Sequence, residues 1–220
     1  MENILPILYS FRRCPFAMRA RMAIYLSSIP CELREIKLSS KPIDMISISP
    51  KATVPILQLP DGMVIDESID IVFWSFNHNK SSPIIEEYNN NKIDIDNLIS
   101  NNDNSFKYHL DRYKYANRYD NVDPQYHRGE CIETFEFLDK LLEKNQYLFS
   151  KDLGIADICI FPFVRQFRIA DIEWFDSNLN MYNFKKWFLR ILNSELFEKI
   201  MFKYELWEKN GKKTIFPKNH

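Results

Sequence analysis

The sequence predicts an α/β domain followed by an all-helical domain. Three observations carry this. The first 80 residues alternate short apolar runs with segments of helical spacing. The composition shifts after His78. From about Asp94 onward the spacing is helical, with no convincing strand pattern. A length of 220 residues leans towards two domains, and 45% hydrophobic residues with 15% aromatics supply a packed core and exclude wholesale disorder.

Ile4–Ser10 is an apolar run rich in strand-compatible residues. Pro15–Ser27 carries Phe16, Ala20, Ala23 and Ile24 at helical spacing. Cys31–Leu38 is a second strand, opened by Pro30, and a short helix around Pro42–Ile48 ends before Pro50. Val54–Leu59 is a third strand, Pro60-Asp61-Gly62 is turn chemistry, and Met63–Ile65 pairs back as a hairpin. Ser68–Phe76 is a helix with Ile69, Val72, Phe73 and Phe76 on one face. The order βαβ, connector helix, ββα places two parallel strands and one hairpin in one small sheet.

Residues 1–78 therefore form the first domain, 79–93 a linker marked by Asn clusters, and 94–220 the helical domain. In the latter, Cys131, Phe135, Leu138 and Leu142 make one buried stripe. Ile155–Phe167 is apolar almost all round and should be the centre of its domain, and Trp187–Ile200 gives a further amphipathic helix.

A formal net charge of −1 gives no drive towards nucleic acid or an anionic membrane. No apolar run approaches the roughly 20 residues of a membrane span, and Met1–Leu8 lacks the features of a secretory signal, so a cytoplasmic location is expected. The four glycines, Gly62, Gly129, Gly154 and Gly211, are isolated, which excludes glycine-rich phosphate cradles. The spacings of Cys14, Cys31, Cys131 and Cys159 match neither a zinc pair nor a disulfide framework. His78, His109, His127 and His220 are scattered, and no metal site is expected.

The sharpest local feature is Ser10-Phe11-Arg12-Arg13-Cys14-Pro15-Phe16-Ala17. Proline is favoured at the first helical position, which puts Cys14 at a helix N-terminus. Free N–H groups and the helix dipole there favour a thiolate, with Arg12 and Arg13 as possible contributors to thiol activation. The alternative is that Cys14 is a small buried hydrophobe, as Cys31, Cys131 and Cys159 are expected to be. Thr53-Val54-Pro55 opens the third strand; a cis bond would present the Val54 backbone to a peptide-like ligand, and an ordinary strand-opening proline is the alternative. Ser68 is a candidate N-cap and Glu67 a candidate partner for a ligand ammonium, or the two are simply a cap with an acidic first turn.

These motifs, in this order, resemble those of the cytosolic glutathione transferase superfamily over essentially the whole chain. The resemblance implies a thioredoxin-like N-terminal domain followed by an all-helical glutathione-transferase C-terminal domain. Cys14-Pro15-Phe16-Ala17 is similar to the cysteine motif of the omega class and of glutaredoxins, with the Arg-Arg-Cys-Pro start of a bacterial branch. By resemblance Cys14 is catalytic, and Val54 and Pro55 form the cis-proline motif that pairs with the cysteinyl part of glutathione. Glu67 and Ser68 hold its γ-glutamyl end, Lys41 reaches its glycyl carboxylate, and Phe16 lines the site. Leu153-Gly154-Ile155-Ala156-Asp157 resembles the family's helix-capping box but has glycine where a hydroxyl residue is expected, leaving only the Asp157 half.

The activity implied is glutathione-dependent thiol transfer through a cysteine–glutathione mixed disulfide, with dehydroascorbate reduction as a related outcome. Ala17 replaces the second cysteine of dithiol glutaredoxins, which makes turnover monothiol. Two alternatives remain open: conjugation of glutathione to apolar electrophiles, and a non-catalytic regulatory or scaffolding role. The expected partners are glutathione as co-substrate and a small-molecule or thiol–disulfide substrate, with a homodimer implied by the resemblance. Many members activate glutathione with a tyrosine or serine hydroxyl, which Tyr9 or Ser10 would supply, but a cysteine-type site usually replaces that hydroxyl, so Cys14 outweighs both. Phe106, Tyr108, Arg112 and Tyr115, on an expected helix Ser105–Tyr119, are candidate acceptor-site residues.

Overall fold

The computed structural model describes residues 4–77 and 82–218. In chain order the elements are β1 (Ile7–Ser10), α1 (Pro15–Ser27), β2 (Cys31–Glu35), α2 (Ile43–Ile48), β3 (Ile56–Gln58), β4 (Val64–Ile65) and α3 (Ser68–Asn77). Then come α4 (Pro83–Asn90), α5 (Lys92–Asn101), a π-helical turn (Asn102–Phe106), α6 (Lys107–Lys114) and a 3-10 turn (Ala116–Arg118). Last are α7 (Pro124–Leu141), α8 (Ile155–Arg168), α9 (Ile172–Asn178), α10 (Tyr182–Leu192), α11 (Glu195–Ile200) and β5 (Ile215–Phe216). They fall into two compact units, Met1–Lys80 with Ser194–His220, and Ser81–Asn193.

The first unit is built on a sheet of order β4-β3-β1-β2-β5. β1 runs parallel to β2 and antiparallel to β3, so the βαβ and hairpin parts share one sheet. Central β1 is buried at Leu8, Tyr9 and Ser10, as expected of a strand covered on both faces. The β3–β4 hairpin closes through Asp61, whose carboxylate accepts from the Met63 N–H at 3.0 Å, and through Gly62, whose φ of +92° suits glycine. This is the thioredoxin-like sheet-and-helix arrangement that the motifs imply. β5 was not expected: Phe216 pairs with Cys31 and Ile215 with Glu32, two residues being too short a run to stand out in the sequence.

The segment after Asn193, assigned by sequence to the helical domain, packs with the first unit instead. α11 sits against α1, and the chain then returns along β2 through Trp207 N–H to Glu35 O and Leu33 N–H to Thr214 O, each 2.8 Å. The expected helix Trp187–Ile200 is therefore two, interrupted at Asn193–Ser194, where the Ser194 hydroxyl accepts from the Phe197 N–H to cap α11. The 79–93 stretch also departs from a linker, since α4 begins at Pro83; the boundary at 78 falls outside the described residues.

The second unit is all-helical, and α8 is its buried centre: Ile158, Cys159, Phe161 and Phe163 have no exposed surface. Phe135 of α7 stacks on Phe184 of α10 at 4.6 Å and meets Phe167 of α8 edge-on at 4.8 Å. Fully buried Asp157 accepts hydrogen bonds from Gly154 N (2.9 Å), Leu148 N (3.0 Å) and Trp187 Nε1 (2.7 Å). A Cβ at Gly154 would lie 2.6 Å from Glu87 Oε2 of α4, so the Glu87 carboxyl fills the space a capping hydroxyl residue would use. That oxygen is buried without a hydrogen-bond partner. Burial, with the Asp157 charge adding to it, pushes the Glu87 carboxyl up to about 7.

The folded protein thus binds a proton at Glu87 more tightly than the unfolded chain, whose carboxyl titrates near 4.5. The stability this gives is complete below that value and is lost as pH rises through about 7. Glu87→Gln is expected to flatten the fall of thermal midpoint between pH 5 and 8, measured by circular dichroism. Asp157, which burial pushes up to about 6, leaves a residual slope in the same window; a slope wholly unchanged by the substitution would show that Glu87 does not contribute.

Candidate active site

β1 ends at Ser10 and the chain turns at once: Cys14 N–H donates to Phe11 O at 3.0 Å, closing a four-residue turn. Pro15 opens α1, leaving Cys14 as its N-cap with extended backbone (φ −73°, ψ 126°) and Met18 N–H bonded to Cys14 O. Cys14 is therefore at the positive end of a 13-residue helix. It is half-buried, packed against a cluster containing Tyr9, Ala17, Val54 and Ile56. The thiol lies 3.6 Å from Val54 O as a hydrogen-bond donor, and the Val54–Pro55 peptide is cis. Cys31, Cys131 and Cys159 are buried, and burial pushes the Cys31 and Cys131 thiols up.

Other candidate residues lie in the same unit. Arg13 is exposed, with its guanidinium 5.5 Å from the Phe11 ring centre. The Arg12 guanidinium donates to Met201 O at 3.3 Å, and its backbone N–H donates to Glu35 Oε1 at 2.7 Å. Half-buried Phe16 lies under the Arg19 guanidinium at 5.4 Å. Lys41 is exposed, just before Pro42, the N-cap of α2.

Ser68 is the first residue of α3 rather than its cap, because Ile71 N–H bonds to Glu67 O. The expected cap is thus displaced by one residue, and the buried Ser68 hydroxyl instead accepts from Arg19 NH1 at 3.4 Å. The Glu67 carboxylate is exposed and pairs with Lys51 Nζ at 2.6 Å. Lys51 also meets Asp66 at 3.1 Å, and Ser49 Oγ donates to Asp66 at 2.7 Å. These two hydrogen bonds, Ser49 first, hold the Asp66 carboxyl below its usual range.

The two hydroxyls near Cys14 are committed elsewhere. Tyr9, 1% exposed, accepts from Arg34 NH1 at 2.6 Å, and burial pushes its phenol up. Ser10 has no exposed surface, and its hydroxyl accepts from the Arg21 guanidinium.

In the second unit the expected helix Ser105–Tyr119 breaks at Tyr115 and begins in the π-helical turn. Phe106 points into the core, 5.6 Å from the Phe135 ring centre. Tyr108 is 49% exposed beneath Arg112, whose guanidinium also covers Tyr119, while Tyr115 lies under Arg118. Two of the supposedly scattered histidines meet: His109 and His127 are joined Nδ1 to Nδ1 at 2.8 Å. His78 and His220 lie outside the described residues. Among the described residues no cluster of three metal-ligating side chains occurs and no helix is long and apolar enough to cross a membrane.

Sequence reasoning missed Lys51, Arg19, Arg21 and Glu35. A signal was available for the two arginines, since both sit inside a helix whose other central residues are apolar.

Two family models match the chain: the glutathione S-transferase N-terminal domain over residues 8–83 and the glutathione S-transferase C-terminal domain over residues 103–190. The chain belongs to the glutathione S-transferase superfamily. Glutaredoxin 2 of Escherichia coli K12 is 29% identical over 191 residues, spanning 76% of this chain and 87% of that protein. Among solved structures, a glutathione S-transferase from Methylobacillus flagellatus KT with GSH bound superposes with a TM-score of 0.75 at 16% identity, covering 89% of this chain and 98% of that one. A family member from Pseudomonas fluorescens Pf-5 with two glutathione bound gives 0.73 at 15% identity, covering 90% and 92%. At those identities the structures speak for the fold.

Burial sorts the four thiols. The native protein is expected to consume one equivalent of a disulfide reagent such as DTNB quickly, and all four only after denaturation. Cys14→Ser should remove the fast phase. A fast phase surviving in that variant would mean that a second thiol is reachable.

Proposed function

We propose that this member of the glutathione S-transferase superfamily is a cysteine-type, glutathione-dependent thiol transferase. The observation that carries the reading is the half-exposed Cys14 at the N-cap of α1 beside the Val54 backbone. A thiolate is favoured there by the N–H groups of the first turn and by the helix dipole.

In this reading the Val54 backbone pairs with the cysteinyl segment of glutathione, and Pro55 fixes the presentation of that strand. Glu67 receives the γ-glutamyl ammonium in competition with Lys51, while Ser68 and the start of α3 receive the α-carboxylate. Exposed Lys41 serves the glycyl carboxylate, and Phe16 lines the groove. Arg12 and Arg13 add positive charge near the thiolate. Tyr108, Arg112 and Tyr115 remain candidate acceptor-side groups; the core packing of Phe106 weighs against a direct role for it.

The Cys14 thiolate attacks the glutathione sulfur of a mixed disulfide. The S–S bond breaks, and the substrate sulfur leaves as a thiolate that takes a proton from water. A second glutathione, as thiolate, then attacks the Cys14–glutathione bond. It forms glutathione disulfide and returns the Cys14 thiolate. Ala17 offers no resolving thiol, and the other three cysteines are buried, so free glutathione must complete the cycle.

Conjugation is the weaker reading because its usual hydroxyls are engaged: Tyr9 on Arg34 and Ser10 on Arg21. A cytoplasmic, homodimeric protein is the setting we infer for this chemistry.

Cys14→Ala is expected to lower glutathione-dependent reduction of a glutathionylated substrate by at least about a hundredfold. Thermal stability should change little. Full activity in that variant, or transfer to a chlorinated aromatic that exceeds thiol transfer in the native protein, would overturn the assignment.

A further inference from the structure

Arg21 is 1% exposed and, like Arg19, is buried in a helix whose other buried residues are small or apolar. Its three guanidinium nitrogens are all used. NH2 donates to Arg12 O at 2.6 Å, Nε donates to Ile200 O at 3.0 Å, and NH1 donates to Ser10 Oγ. The first contact grips a carbonyl inside the Phe11–Cys14 turn. The second satisfies one of the last carbonyls of α11. The third holds the final residue of β1. One side chain therefore ties together the strand end, the cysteine turn and the C-terminal helix.

The helix geometry explains the reach. Position 21 follows position 14 by seven residues, which is two turns and the same face. Side chains on a helix lean towards its N-terminus, so Arg21 leans towards the turn that presents Cys14. The charged and titratable groups acting on it are Glu35 from β2, Cys14 and Arg12 from the turn, and Tyr204 from the C-terminal segment. Burial lowers the Arg21 guanidinium to about 10, so it stays protonated at neutral pH. Arg12, by contrast, spends its guanidinium on Met201 O, and Arg13 is exposed.

We propose that Arg21 is a positioning residue for Cys14. Its fork fixes the turn that sets the sulfur at the start of α1, and its buried charge favours the thiolate. The role rests on the thiol-transferase reading for its biological use. Its test does not depend on turnover.

The experiment is the pH dependence of Cys14 alkylation by iodoacetamide in the full-length native protein, in Arg21→Gln and in Arg21→Lys, with circular dichroism to establish folding. Arg21→Gln is expected to raise the apparent thiol pKa by about one unit, a tenfold smaller thiolate fraction at a pH below both values. Arg21→Lys keeps a charge but not the three-way fork, and a smaller rise is expected. A merely structural role would lower the thermal midpoint of both variants and leave the alkylation profile at the native position. A folded Arg21→Gln with the native profile overturns the proposal. Should that variant not fold, a native profile in Arg21→Lys does the same. If native Cys14 titrates as an ordinary thiol and shows no turnover, the thiol-transferase reading fails, while the shift between native and variant still decides the role of Arg21.

Discussion

The chemistry proposed for the first unit depends on a turn of four residues. Phe11 O accepts from the Cys14 N–H, and that single bond converts the end of β1 into the start of α1. Without it the cysteine would continue the strand direction and lose the helix N-terminus that favours its ionised form. The turn is not left to itself. Glu35 takes the Arg12 N–H, Arg21 takes the Arg12 carbonyl, and both anchors are buried. An isolated turn of this length in water would exchange among conformations. Here both polar groups of its second residue are already committed.

Buried charge recurs in the second unit with a different outcome. Asp157 is buried and meets three donors, which offset part of the burial that pushes its carboxyl up to about 6. Glu87 faces the same helix start without such partners for its Oε2. The glycine at 154 and the carboxyl at 87 are two parts of one arrangement, because a side chain at one position needs the space of the other. A glycine N-cap costs only roughly a few tenths of a kcal/mol relative to a hydroxyl cap. The more consequential change is a carboxyl whose protonation is tied to folding.

Much of this was legible in the sequence because it follows from local rules. Pro15 fixes a helix start, Asp61-Gly62 fixes a hairpin, and the apolar run from Ile155 can only be a buried helix. Cys14 as the helix N-cap follows from Pro15 alone. What was not legible depends on contacts far apart in the chain. Ile215 and Phe216 are too short to read as a strand, and they become one only because β2 offers an open edge. Lys51 belongs to the acidic pair at 66 and 67 through a fold-back of the chain that no periodicity encodes. The meeting of His109 and His127 is similar, since it requires α6 and α7 to pack side by side.

The same kind of long-range contact engages both hydroxyls at the strand end. Tyr9 pairs with Arg34 in the β1–β2 ladder, and parallel neighbours on one face bring phenol and guanidinium together. Arg34 is also packed over the Trp207 ring at 4.5 Å and bonded to Glu32 at 2.7 Å, so the phenol partner is itself fixed. Ser10 is taken by the guanidinium that secures the turn. A hydroxyl-based site would have to break one of these buried arrangements before it could address a ligand. The sulfur of Cys14 is half-exposed at a helix start, and it donates to the Val54 carbonyl at 3.6 Å, a distance at which a thiol bonds weakly. In the proposed chemistry the thiol has the advantage over two hydroxyls that guanidinium groups already hold.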